Sequence, residues 1–92
     1  MFAIYKYELT QFAVSQIEAP IIKCLEVNYQ NGNPYLWAIV RTEEDAPKKK
    51  LTIYRVGTGW PVNQSFVENA EYINTTVGES EPYVWHWFCG SM

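Results

Sequence analysis

Asn31-Gly32 lies between two runs of strand-forming residues, 21–30 and 33–42. A two-residue hairpin loop that matches the twist of its strands needs both central residues at positive φ, and Asn-Gly meets that need at low steric cost. The dipeptide therefore predicts an antiparallel hairpin. A register set by that turn places Val27 opposite Leu36, Leu25 opposite Ala38 and Lys23 opposite Val40, giving one largely aliphatic face through the two-residue side-chain period. It also places Cys24, Glu26 and Asn28 beside Tyr35, Trp37, Ile39 and Arg41, a mixed face suited to a ligand or a second subunit.

The rest of the chain follows the same grammar, with Gly, Pro and Asn between short β-favouring runs. Strands are expected over residues 2–9 and 12–18, where Pro20 then removes a ladder donor, and over 51–56, entered from a charged hairpin loop at 43–50. A last hairpin is expected from 71–77 and 83–89 around the Gly78–Pro82 connection, while 60–69 is the least regular stretch. The 92 residues thus read as one all-β domain over 1–92, a small antiparallel sheet or sandwich of about six to seven strands joined by hairpins. Open sheet edges and surplus aromatic surface together predict a homodimer or higher homo-oligomer.

Composition excludes several functions. A net charge of -3 is a poor match to long nucleic acid, whose recognition rests on a basic face that displaces counterions from phosphates. No apolar run reaches the ~18 residues of a membrane span, and Met1 leads into alternating residues rather than a secretory leader, so a cytoplasmic setting is expected. Cys24 and Cys89 are accordingly expected as thiols. With His86 the single histidine, these residues make no convincing metal set, and neither a metal nor another cofactor is expected. No nucleophile motif or catalytic carboxylate pair is evident, so binding is expected rather than catalysis. Asn63-Gln64-Ser65 and Asn74-Thr75-Thr76 match the glycosylation pattern but are expected to be incidental.

Four Trp, seven Tyr and four Phe exceed the evident needs of so small a core, so some rings are expected at a site or interface. In 83–88, Tyr83, Trp85 and Trp87 share one face and Val84, His86 and Phe88 the other. Gly57-Thr58-Gly59-Trp60-Pro61 follows a predicted strand. Its glycines leave backbone amides free to meet an anion, Thr58 adds a hydroxyl, Trp60 adds a stacking surface, and Arg55 stands two residues before it. Such a turn is also an ordinary way to end a strand. The candidate ligand-binding set is Arg55, Gly57, Thr58, Gly59, Trp60, Trp37, Arg41, Trp85 and His86; whether Arg41 joins Arg55 depends on the register of the hairpin through 43–50. His86, between two tryptophans and without catalytic partners, reads first as a structural group and second as a ligand contact.

Several segments together resemble a family of short proteins encoded mainly by bacteriophages: Ile4-Tyr5-Lys6-Tyr7, Gln30-Asn31-Gly32 with Pro34, Leu36-Trp37-Ala38, Gly57-Thr58-Gly59 with Pro61, and Val84-Trp85-His86 with Phe88. Trp60 departs from that pattern, in which His more often follows Gly-Thr-Gly. The resemblance implies a phage origin and the host cytoplasm as working compartment. In outline the chain is similar to nucleotide sponges, which sequester cyclic nucleotide signals of antiphage immunity without cleaving them. The expected ligand is then a cyclic dinucleotide such as cGAMP. The alternative is a module that inhibits a host or defence enzyme through an aromatic surface.

Overall fold

The computed structural model describes residues 1–78 and 83–91. Seven strands and one short helix follow in the order β1 (Phe2–Glu8), β2 (Val14–Ala19), β3 (Ile21–Gln30), β4 (Asn33–Arg41), β5 (Lys49–Gly57), α1 (Gln64–Asn69), β6 (Glu71–Val77) and β7 (Val84–Ser91). They form two antiparallel sheets, one ordered β1-β4-β3 and the other β2-β5-β7-β6. The fold is all-β, as the turn spacing predicts. The connection between β6 and β7 falls largely on residues 79–82, outside the described residues.

Asn31 and Gly32 both take positive φ, 54° and 82°, and turn β3 into β4 as expected. Val27 pairs with Leu36, but two bulges then shift the register, so that Cys24 meets Ala38 and Ile21 meets Val40. The expected pairings of Leu25 with Ala38 and Lys23 with Val40 are therefore corrected. Burial supplies the reason: the unshifted register would put the Lys23 ammonium beside fully buried Val40, an expensive desolvation. The bulges instead turn Cys24 and Ile21 toward the core and leave Lys23 exposed.

A second correction concerns connectivity. Residues 43–50 do not close a hairpin, because β4 and β5 belong to different sheets. The chain also changes sheet at Pro20, whose carbonyl accepts from the Arg41 amide at 3.1 Å. A third concerns 60–69, which contains α1. Asn63 caps that helix by accepting from the Phe66 amide at 2.8 Å, and Gln64 donates to Glu68 one turn on at 2.7 Å.

The core lies between the sheets. Val27, Leu36, Ala38 and Val40 from one side meet Ile53, Trp87 and Cys89 from the other. Trp87 packs edge-on to Tyr29 at 6.3 Å, and its indole N–H donates to Thr76 Oγ1 at 2.8 Å. Asn74, on β6, reaches across to β3: its Oδ1 accepts from the Val27 amide at 2.9 Å and its Nδ2 donates to the Val27 carbonyl at 2.7 Å. One side-chain amide thus satisfies both backbone groups of a buried edge residue and joins the two sheets. Cys24 and Cys89 are free thiols of the same core cluster. Interaction with Cys89, with burial adding to it, pushes the Cys24 thiol up, while interaction with Cys24 lowers Cys89.

Candidate functional site

The sheet containing β5 and β7 presents different chemistry on its two faces. Pairing of Arg55 with Trp87 turns Arg55 toward the inner side, whereas Val56 pairs with His86 on the outer side. Each face borders a cavity, and Trp60 borders both.

On the inner side, the Arg55 guanidinium lies over the Trp85 ring at 4.1 Å. Trp85 also meets Trp60 edge-on at 5.3 Å and stacks with Tyr83 at 5.7 Å. These groups line a cleft of about 980 Å³, together with Gln11, Asn28 and Asn31. Arg55 Nη2 donates to the Gln11 carbonyl, and its Nε is buried without a hydrogen-bond partner. Among the described residues, the ion pairs involve only Glu43, with Arg41 or the terminal amine, and no carboxylate pairs with Arg55. The cleft therefore contains a stacked cation, several ring faces and amides that can both donate and accept.

The Gly57–Trp60 turn closes with the Trp60 amide donating to the Gly57 carbonyl at 3.0 Å, and Gly59 takes φ +88° at the third position, as a type II turn requires. The space left by the missing Gly57 side chain is filled by the protein itself. A Cβ there would lie 2.7 Å from Trp60 Nε1 and 2.8 Å from Cε2. Gly57 thus seats an indole, which accounts for its lack of a side chain without an anion. Gly57→Ala should displace Trp60 while costing roughly 1 kcal/mol or less in stability, since Trp60 is half-exposed. The check is a change in the emission difference between Gly57→Ala and Gly57→Ala/Trp60→Phe, relative to the same pair in the Gly57 background.

On the outer side, Thr58 and His86 are bound to each other. His86 Nε2 lies 2.8 Å from Thr58 Oγ1 and Nδ1 lies 3.0 Å from Thr75 Oγ1, which in turn lies 2.7 Å from the Tyr72 hydroxyl. Both ring nitrogens are engaged, so the imidazole ties the turn after β5 to β6. A smaller pocket of about 360 Å³ lies here, lined by Gly57, Thr58, Gly59, Trp60 and His86 of the expected set and closed by apolar side chains such as Phe66 and Phe88.

The structure thus brings Arg55, Trp60 and Trp85 together and puts Thr58 and His86 on the opposite face. Trp37 and Arg41 join neither group. Both lie on β4 in the other sheet, where Trp37 packs against Tyr35 at 6.2 Å and Arg41 lies 4.0 Å from Glu43 and 5.3 Å from the Phe2 ring. The question of a β4 to β5 hairpin register does not arise, because those strands do not pair. Gln11, Asn28, Asn31 and Tyr83 are cleft residues outside the sequence-predicted set. Asn28, Asn31 and Tyr83 carried a signal, in the mixed face of the hairpin, in its turn and in the alternation with Trp85; Gln11 carried none.

Among the described residues, no group of three or more His, Cys, Asp or Glu side chains is placed to hold a metal ion, and no helix is long and apolar enough to cross a membrane. Comparison with known proteins finds no similar curated protein and no similar solved structure. Residues 1–91 match a family described as a domain of unknown function (DUF7352), and the chain belongs to that family.

Proposed function

We propose that this member of the family binds and holds a nucleotide in the cleft between its sheets, and does not transform it. The observation that carries the reading is the Arg55 guanidinium, stacked on Trp85 with no carboxylate partner among the described residues. A phosphate supplies the missing countercharge through charge-assisted bonds, while Trp60, Tyr83 and the amide of Asn31 offer stacking surface and polar edges to a base. The cleft's volume of about 980 Å³ lies at the upper end of the roughly 300 to 1,000 Å³ usual for ligand pockets, which favours a ligand with two bases, such as a cyclic dinucleotide of the cGAMP kind. The one imidazole lies on the opposite face of the sheet, engaged at both nitrogens, which supports retention over turnover. In this reading the protein is a phage-encoded sponge that withdraws an immune signal in the host cytoplasm.

A second reading, an interaction module against a host or defence enzyme, draws on the exposed apolar side chains Val62, Val67 and Tyr72 of the α1–β6 region. A thermal-shift screen against cyclic and linear nucleotides separates the two. A ligand at 100 times its dissociation constant should stabilise the fold by ~2.7 kcal/mol and be recovered intact by chromatography. The absence of a shift with every nucleotide would remove the first reading, and recovery of a cleaved product would replace binding by catalysis.

A further inference from the structure

The two sheets leave four edge strands, β1, β3, β2 and β6, and three of them are blunted. β3 carries two bulges and is sealed at Val27 by Asn74. β6 carries a bulge between Tyr72 and Asn74. β2 is short and stops at Pro20, and its even-numbered residues present Gln16 and Glu18 beside Val14. Bulges, charges and prolines are the usual devices against strand addition.

β1 lacks them. All seven of its residues pair with β4 in unbroken register, and Phe2, Ile4 and Tyr5 are 55%, 61% and 52% exposed. Its lysine offers no protection at the edge, because Lys6 folds back across its own sheet, over the Tyr35 ring at 4.7 Å and onto Gln30 Oε1 at 2.6 Å. The hydrogen-bond parity of this strand is fixed at both ends. The Leu9 amide donates to the Pro34 carbonyl at 2.9 Å, and the Thr42 amide donates to the Met1 carbonyl at 3.1 Å. Odd-numbered residues therefore bond to β4. In an antiparallel ladder the alternate residues, Phe2, Ile4, Lys6 and Glu8, must direct their amides and carbonyls outward.

We infer that β1 is the docking edge for a second copy of this chain, pairing antiparallel with its own counterpart across a two-fold axis to make one continuous six-stranded sheet. The outward parity selects the register. Pairing Phe2 with Glu8 and Ile4 with Lys6 uses every outward-facing residue of both strands, and it sets Tyr5 beside Tyr5 of the second copy at the axis as a non-hydrogen-bonded pair. Aromatic side chains in such a position are favourable cross-strand neighbours. The inference is independent of what the cleft binds.

Light scattering coupled to size exclusion should give about twice the 10.7 kDa mass of one chain. Ile4→Pro removes an outward amide and none of the β1–β4 bonds, so it should give the single-chain mass with an unchanged far-ultraviolet spectrum. Ile4→Lys sets like charges opposite one another across the axis and should also weaken the dimer if the proline variant does not fold. Under mild oxidation Tyr5→Cys should cross-link two chains, because Cα atoms of a non-hydrogen-bonded pair stand about 4.5 Å apart, within disulfide range. Lys6→Cys and the unsubstituted protein should not. A single-chain mass for the unsubstituted protein at every concentration, or a dimer that survives both Ile4 substitutions, would overturn the proposal.

Discussion

Trp87→Ala is expected to cost about 3–5 kcal/mol, the range for removing a large aromatic from a packed core. Trp87 is the largest fully buried side chain among the described residues. It fills the space between the sheets, touches Tyr29 of β3 edge-on and donates its indole proton to buried Thr76. A domain of this size has ~5–15 kcal/mol to lose, so the variant should populate the unfolded state at ambient temperature or lie close to doing so. Urea unfolding followed by far-ultraviolet circular dichroism measures the loss. Trp87→Phe separates packing from hydrogen bonding: it keeps a ring but leaves Thr76 without its donor, and should cost about 1–3 kcal/mol. A loss below about 1 kcal/mol for the alanine variant would mean that Trp87 does not hold the sheets together.

Asn74→Ala should be the next most damaging change, at about 2–4 kcal/mol, because it strands two backbone groups together. The Val27 amide and carbonyl lie at a position with no solvent exposure, and Asn74 is the partner of both. At roughly 4–8 °C per kcal/mol for a domain of this length, the midpoint should fall by ~8–32 °C. Hydrogen exchange gives the specific signature: the Val27 amide should lose protection out of proportion to Leu36, which lies opposite it on β4. Asn74→Asp keeps an acceptor for the Val27 amide but faces the carbonyl with a carboxylate, so it should not restore stability at neutral pH. Uniform loss of protection across β3 and β4 would assign Asn74 a general rather than a bridging role.

What was legible in the sequence was local. The Asn31-Gly32 hairpin could be read because its requirement for positive φ is met within two residues, and the strands could be read because each is a short β-favouring run between turn residues. The bulges at Ile22 and Leu25 could not, since they arise from keeping Lys23 out of a core that exists only once both sheets meet. Sheet membership was hidden for a related reason: 43–50 has the composition of a hairpin loop whether it returns the chain or carries it to the other sheet. That ambiguity removed Trp37 and Arg41 from the candidate site. α1 left one signal, the capping residue Asn63, but six residues carry too little periodicity to mark a helix. Of the cleft, Arg55, Trp60 and Trp85 were found through the strand and turn that hold them. Gln11, in the connection between β1 and β2, and Asn28, on β3, are brought there only by the packing of the sheets.

The most direct test of nucleotide retention is calorimetric titration of cGAMP into the unsubstituted protein and into Arg55→Ala. The unsubstituted protein should bind saturably with the ligand recovered intact. Arg55→Ala should bind roughly 10- to 100-fold more weakly, the weight of charge-assisted bonds to a phosphate, with its unfolding free energy in urea titration lowered by about 1 kcal/mol or less. Equal affinities for the two proteins, or no binding of cGAMP by either, would contradict a cGAMP site built on the Arg55–Trp85 pair.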